Sequence, residues 1–418
     1  MSLASRSFLR ASKFRTISTQ CVCIRQRALA SSAASQLLKT GLYDFHISNG
    51  AKMVPFAGYS MPLAYGDVGA VSSHNHVRTK AGLFDVGHMV QSNFIGPTAT
   101  EFLEWLTPSA LGSLNNFSST LSVLLNDKGG ILDDLIICKH AQDAFYVVTN
   151  AGRRTEDLAW FEQKLQEWNS DNQGGSKGKV EMKVMEDWGL VALQGPEAAT
   201  CLQQHVKEDL TKLLFGQSMF AEVAGVKCHI ARGGYTGEDG FEISIPPQDT
   251  VMITELLTNP AAGSHAQLTG LGARDSLRLE AGMCLYGHDL SEDITPVEAG
   301  LSWVIAKSRR HPGAFIGSDT ILQQLKDGPT KRRVGFIVED APAREGAKIF
   351  SADSQKEIGV ITSGIPSPTL SQNIAMGYVY SGHHKKGTEV LVDVRKKLRK
   401  AIVQPMPFVP TKYWKGTL

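Results

Sequence analysis

A chain of 418 residues, 42% apolar and 20% charged, has the length of two to three ordinary domains and ample material for a core. Its 43 Lys and Arg against 41 Asp and Glu exclude the basic excess of a general nucleic-acid binder. The six cysteines form no CxxC pair, so a zinc knuckle, an iron–sulfur loop and a redox dithiol are not indicated.

Residues 1–35 carry Arg6, Arg10, Lys13, Arg15, Arg25 and Arg27 among several serines, and no acidic residue precedes Asp44. This composition predicts a mitochondrial transit peptide, cleaved near residues 29 to 36. A secretory signal needs an apolar centre of roughly 7–15 residues, which is missing, and no stretch reaches a bilayer span. Removing those six charges from the 43 basic residues, against 41 acidic, leaves a mature net charge of about −4. Neither a nucleic acid nor a membrane is expected as a partner, and Cys138, Cys201, Cys228 and Cys284 are expected to stay reduced.

From Gly41 to His76 Gly and Pro recur every few residues, which reads as short strands and loops, with a helix over 70–80 carrying His74, Arg78 and Lys80. Gly82-Leu-Phe-Asp-Val-Gly-His-Met-Val begins another strand. Its His88 has no second ligand at helical or hairpin spacing, so it reads as a structural or hydrogen-bonding residue. Residues 97–106 look helical.

Next, Gly129 and Gly130 mark a turn that pairs Leu121–Leu125 with Ile131–Ile137 as a hairpin. Strand alternation puts Leu132, Asp134 and Ile136 on one face and Ile131, Asp133, Leu135 and Ile137 on the other. Neither acid has a polar side to occupy, so at least one is desolvated and must be paired, hydrogen-bonded or raised in pKa. The pair either caps backbone at a strand end or walls a site for a cationic or N–H-bearing ligand. A third strand runs from Ala144 to Asn150, an amphipathic helix covers 153–168, a polar loop covers 169–178, and Pro196 and Glu197 open a short helix.

Gly233-Gly-Tyr-Thr-Gly-Glu-Asp-Gly-Phe-Glu places four glycines in eight residues before a strand, with a spacing that matches neither a dinucleotide fingerprint nor a P-loop. Glu242 lies opposite Phe241 and Ile243 and faces either solvent or a ligand. In the helix at 270–282, Arg274 and Arg278 stand one turn apart, as a salt-bridged face or, for Arg274, as part of a site. A short helix over 317–326 precedes a small all-β region from about residue 330. Basic clusters at 307–310, 331–333 and 395–400 are available to steer an acidic carrier protein.

Taken in series, Leu42-Tyr-Asp-Phe-His, Phe84-Asp-Val-Gly-His-Met, Gly129-Gly-Ile-Leu-Asp-Asp-Leu, Leu193-Gln-Gly-Pro, Gly234-Tyr-Thr-Gly-Glu-Asp-Gly-Phe-Glu, Gly272-Ala-Arg-Asp-Ser-Leu-Arg-Leu-Glu-Ala-Gly and Ile361-Thr-Ser-Gly resemble the folate-dependent aminomethyltransferase family, the T-proteins of glycine cleavage. The resemblance covers residues 39–418. It implies an α+β, three-domain, cloverleaf-like fold with tetrahydrofolate in the central opening: a folate-binding region of two interleaved α+β domains over 36–329, then a β-barrel-like domain over 330–418. It also implies the reaction. A one-carbon unit passes from the aminomethyl-dihydrolipoyl arm of the H-protein to tetrahydrofolate, giving 5,10-methylenetetrahydrofolate and ammonia in the mitochondrial matrix, with tetrahydrofolate as co-substrate and no metal or flavin. By motif, Asp134 is similar to the family's catalytic aspartate, and Glu242, Arg274 and Tyr413 (in Phe408-Val-Pro-Thr-Lys-Tyr-Trp) to its folate contacts. Tyr235 and Asn150 are further candidates.

Three other readings compete. A folate-binding iron–sulfur cluster assembly factor of the same superfamily carries a cysteine where this chain has Gly233-Gly-Tyr-Thr-Gly-Glu. A fused flavin dehydrogenase needs an N-terminal dinucleotide fold for which there is no room. A hydrolase using Asp133 and Asp134 as ligands of a divalent metal is the reading from another class.

Overall fold

The computed structural model describes residues 37–170 and 177–416. The transit-peptide reading over 1–35 and part of the polar loop at 169–178 lie outside the described residues. Three sheet systems dominate. The first has five strands, in the order Ser118–Leu125, Ile131–Ala141, Ala144–Thr149, Val90–Ile95 and Glu181–Val184. The second has six, in the order Ser218–Val223, Val226–Arg232, Gly240–Ile245, Gly189–Gln194, Ala81–Asp85 and Ala266–Leu268, with only the last pair parallel. The third is a closed barrel of Lys331–Val338, Gln372–Tyr380, Glu357–Ser367, Lys348–Ser351, Glu389–Val394 and Lys397–Gln404. Among the described residues no helix is long and apolar enough to cross a membrane.

Each open sheet buries one face under helices and turns the other towards its neighbour. Helices Ala99–Leu106 and Arg154–Asn169 cover the five-stranded sheet through Phe94, Phe102, Phe161 and Trp168, with Phe94 and Phe161 edge to face at 5.0 Å. Leu202, Ile253 and Leu257 cover the six-stranded sheet. Between the two sheets lies a smaller cluster, Phe84, Val86, Tyr146, Val148, Leu190 and Ala192, into which helix Leu271–Glu280 inserts Ala273 and Leu277. A site between the sheets therefore has three walls.

The hairpin at its floor is set by a local turn. The Asn126 side-chain oxygen accepts from the N–H groups of Lys128 and Gly130 at 2.9 and 3.0 Å, and Gly129 takes φ +78°. Gly130 has no alternative: a Cβ there would lie 1.8 Å from the Glu292 carbonyl oxygen.

Two expected elements differ from what forms. A helix, Tyr43–Ser48, replaces the loop reading of that stretch, held by His46 between Asp85 (2.8 Å) and the Tyr65 hydroxyl (2.9 Å). Tertiary bonds decide what six residues of propensity cannot. The strand expected from Gly82 through Val90 is two strands. It breaks after Asp85, whose carboxylate accepts from Gly87 N–H at 2.8 Å, and the chain crosses to the other sheet at Val90.

Arg278 does not share the surroundings of Arg274. It is buried, bonding Asp289 at 2.7 Å and the Ser363 hydroxyl at 3.0 Å, and so ties the helix to the barrel. Removing one partner of such a pair strands the other charge. Arg278→Ala is expected to cost about 3–5 kcal/mol in urea-unfolding measurements. A loss under about 1 kcal/mol contradicts this role.

Candidate functional site

Strand Ile131–Ala141 alternates buried and half-buried as its sequence requires, and Asp133 and Asp134 are its anomaly. Asp133 is fully buried. Its oxygens accept from the backbone N–H of Asn150 at 2.8 Å and from the Asn150 side-chain amide at 3.0 Å. The same amide donates to the Asp134 carbonyl at 2.9 Å and the Asp134 carboxyl at 3.1 Å. Asn150 thus clamps both acids from the end of the next strand.

Behind them stands Asp157, on helix Arg154–Asn169. Its carboxyl oxygens are buried and find no other donor among the described residues, so its contact with Asp133 requires a shared proton. Burial pushes Asp157 up to about 7, while burial and the Asp157 charge hold Asp133 well above the ordinary carboxylate range. Asp134 keeps some accessible surface. Burial first, and the negative charge of Asp133 second, push it up to about 8.

Across the gap, Glu242 sits in register between Ala231 and Ala192, whose methyl side chains are short. Burial raises its pKa and the charge of Arg274 draws it back. Arg274 lies over the Tyr235 ring at 4.7 Å, and burial lowers its pKa. Neither Glu242 nor Arg274 has a hydrogen-bond or salt-bridge partner among the described residues, which is unusual for half-buried charges. Tyr235 links the two halves: its hydroxyl donates to the Cys284 carbonyl, and its electrostatic neighbours include both Asp134 and Arg274.

The glycines at the start of the Arg274 helix admit backbone, not ligand. A Cβ on Gly270 would meet the Leu63 carbonyl at 2.4 Å. Tyr413 stands apart from this group. It stacks on Phe215 at 4.0 Å, beside the glycine-rich loop, to which Lys412 N–H bonds at the Gly237 carbonyl (2.8 Å), and burial pushes its phenol up to about 12.

Two residues near the cleft were not singled out for it. His88 sits at the crossing between sheets, buried, with Nδ1 unpartnered and its ring against Phe56 and Tyr59; burial lowers its pKa to about 4, with Asp85 and Arg274 nearby. Asp157 had a legible signal. It falls on the buried stripe of its helix with Phe161, Lys164 and Trp168, where an acid is out of place.

Known proteins share this arrangement. The GCVT N-terminal domain matches residues 42–309, and the glycine cleavage T-protein C-terminal barrel domain matches residues 331–410. The chain is 48% identical over 393 residues to a probable mitochondrial aminomethyltransferase of Schizosaccharomyces pombe, covering 94% of this chain and 98% of that one. It is 48% identical over 381 residues to the mitochondrial aminomethyltransferase of Pisum sativum, covering 91% of each. The crystal structure of the glycine cleavage system aminomethyltransferase T from Bartonella henselae superposes with a TM-score of 0.82 at 38% identity, covering 91% of this chain and all of that one. The fold is that of a one-carbon transferase with a C-terminal barrel. The chain belongs to the glycine cleavage T-protein family; its activity is that of an aminomethyltransferase and its compartment the mitochondrion. The iron–sulfur assembly reading is not favoured.

The raised pKa of Asp134 has a measurable consequence. An acid whose folded value lies above its unfolded value of about 4 favours the fold only while protonated, so the penalty begins near pH 4 and grows until pH passes about 8. Asp134→Asn removes that penalty. Its Tm is expected to equal the parent's near pH 4.5 and to exceed it by roughly 2 °C at pH 8 in thermal scans. A variant less stable at pH 8 contradicts the burial argument.

Proposed function

We propose that the Asp134 cleft receives an aminomethyl group carried on the dihydrolipoyl arm of the H-protein and passes its one-carbon unit to tetrahydrofolate, releasing ammonia and 5,10-methylenetetrahydrofolate in the mitochondrial matrix. One observation carries this reading: Glu242 and Arg274, half-buried charges with no hydrogen-bond or salt-bridge partner among the described residues, neighbour each other, and Tyr235 has both Arg274 and the clamped Asp134 as electrostatic neighbours. Such a pair fits a reduced pterin. The Glu242 carboxylate accepts a ring N–H and the adjacent exocyclic amine together, while Arg274, oriented by its stack on Tyr235, answers the ring carbonyl. In this reading Tyr413, beside the glycine-rich loop, contacts the more distal part of the folate.

Tetrahydrofolate supplies the nucleophilic nitrogen. The chain's own residues do the rest. Asn150 fixes the Asp134 carboxyl in one orientation, and the proton shared by Asp133 and Asp157 keeps a second full negative charge from building up behind it. At about 8, Asp134 is largely protonated near neutrality, and a cationic aminomethyl group docking beside it lowers that value and ionises it. As a folate nitrogen bonds to the methylene carbon and the carbon–nitrogen bond to ammonia breaks, the carboxylate takes the proton of the attacking nitrogen and stabilises the positive charge on that carbon. The second folate nitrogen then closes the ring as the carbon–sulfur bond breaks, its proton passing to the dihydrolipoyl thiolate. Water exclusion between the sheets strengthens both effects.

The carrier is steered by charge. Of the three basic clusters 395–400 is the most exposed, at the tip of a barrel hairpin, with Arg399 alone taken up by Asp340 at 2.6 Å. Arg333 is buried against the Ala299 carbonyl, and Arg309 is taken up by Glu104 at 3.2 Å.

Calorimetry with tetrahydrofolate and turnover with the lipoylated carrier separate these roles. Asp134→Asn is expected to keep folate affinity within about tenfold while turnover falls roughly a hundredfold. Glu242→Gln is expected to weaken folate binding by about tenfold or more, the scale of a charged hydrogen bond. Full turnover in Asp134→Asn removes that residue from the mechanism. For the carrier, kcat/KM is expected to fall as salt rises from about 0.05 to 0.3 M, and to lose that dependence when Lys396, Lys397 and Lys400 are changed together to Gln. A salt-independent parent rules out steering.

A further inference from the structure

At the opposite end of the intersheet gap from Asp134, three metal-ligating side chains converge. Cys138 and His140 lie on the same face of strand Ile131–Ala141, the face that also carries Asp134, and His229 comes from strand Val226–Arg232 of the other sheet. The two Nε2 atoms stand 3.2 Å apart, and the Cys138 sulfur lies 3.9 Å from His229 Nε2. All three ligand atoms fall within 4.8 Å of one another. Cys138 and His229 are buried and His140 is half-buried.

These separations have a geometric meaning. A tetrahedral zinc with bonds of about 2.0–2.1 Å to nitrogen and 2.3 Å to sulfur sets its ligand atoms about 3.3 Å (N to N) and about 3.6 Å (N to S) apart. The pair of imidazoles is already at that edge length and the sulfur is within a few tenths of an ångström of it with respect to His229, while its separation from His140, under 4.8 Å, must shorten on binding. The surroundings also suit a thiolate–imidazole site. The Ser218 hydroxyl lies 3.0 Å from the Cys138 sulfur, the Tyr146 ring stacks parallel to His140, and Phe117 and Phe220 flank it towards solvent. A bland alternative is a neutral histidine pair sharing one N–H inside an aromatic cluster. That alternative accounts for the 3.2 Å contact, and the Ser218 hydroxyl for the orientation of the thiol, but it gives no role to the 3.9 Å approach of the sulfur to His229 Nε2.

We propose that Cys138, His140 and His229 form a zinc-binding site with three protein ligands and an open fourth position, joining the two sheets that wall the cleft. Thiolate and imidazole donors favour zinc over calcium or magnesium. On binding, the Cys138 thiol proton passes to solvent, a sulfur–metal bond forms, and water ligands leave the ion, so affinity rises with pH. Four residues of strand separate Cys138 from Asp134, about 13 Å, so the ion does not touch the reacting groups. Its effect is to fix the spacing of the two sheets. The site is invisible to spacing rules because two ligands are neighbours across one residue and the third is about ninety positions away.

The experiment is a titration of the full chain with Co2+ and then Zn2+. Binding gives a sulfur-to-cobalt charge-transfer absorption that Zn2+ abolishes by displacement. Cys138→Ser is expected to lose that absorption, and His140→Gln, at a half-exposed position, to weaken Co2+ binding at least tenfold with an unchanged Tm in the absence of metal. Zn2+ is expected to raise the Tm of the parent and not of His140→Gln. Absence of the charge-transfer absorption in the parent overturns the proposal, and so does its persistence in Cys138→Ser.

Discussion

One side-chain amide, that of Asn150, governs the centre of this molecule, because it is the group that holds Asp133 and Asp134 in fixed relation without a positive charge. A lysine or arginine in its place would ionise both acids and pin their pKa values low. A neutral donor stabilises their orientation and leaves burial free to raise them. The difference is between a carboxyl permanently charged and one whose charge waits for a cation to arrive. Asp157 completes the arrangement from a helix on the far side, and the apolar stripe of that helix supplies the dry surroundings that make the sharing of one proton favourable.

The walls depend on a second set of buried charges. Glu280, fully buried at the end of the Arg274 helix, accepts from Arg78 at 2.7 Å, from the Thr369 hydroxyl at 2.7 Å and, through its backbone carbonyl, from Phe408 and Val409. Arg78 also reaches Glu238 in the glycine-rich loop at 3.0 Å. Opposite charges and nearly complete hydrogen bonding, with Glu238 Oε2 left unpartnered among the described residues, make such a network tolerable in a low dielectric. Its value is positional, since the bonds of Arg78 and Glu280 tie helix, loop and barrel together in one relation.

Much of this was legible in the sequence where local rules apply. The hairpin around Gly129 and Gly130, the alternation that parts Asp133 from Asp134, the face of Glu242 and the all-β region from about residue 330 follow from turn chemistry and period-two patterning, which act over a few residues. The break after Asp85 and the Tyr43–Ser48 helix do not, because both are decided by contacts between His46, Tyr65 and Asp85, which no local pattern reports. The arginine pair shows the same limit within one helix. Periodicity placed Arg274 and Arg278 one turn apart, but only the position of Asp289 shows that one is spent on structure while the other stays unpartnered. The resemblance of the motifs, and not their spacing alone, brought Asp134, Glu242 and Arg274 together before the fold was known.

The chain does not finish where its last strand does. After Gln404 it leaves the barrel, bonds twice to the carbonyl of Glu280, crosses to Gly237 and sets the Trp414 indole on the Thr211 carbonyl, 2.9 Å away, near the edge of the six-stranded sheet. This tail works as a buckle that fastens the barrel to a wall of the cleft. A premature stop codon within the final dozen positions would therefore spare every strand yet open the buckle, so lesions there belong with core defects in severity and not with harmless loss of a loose end.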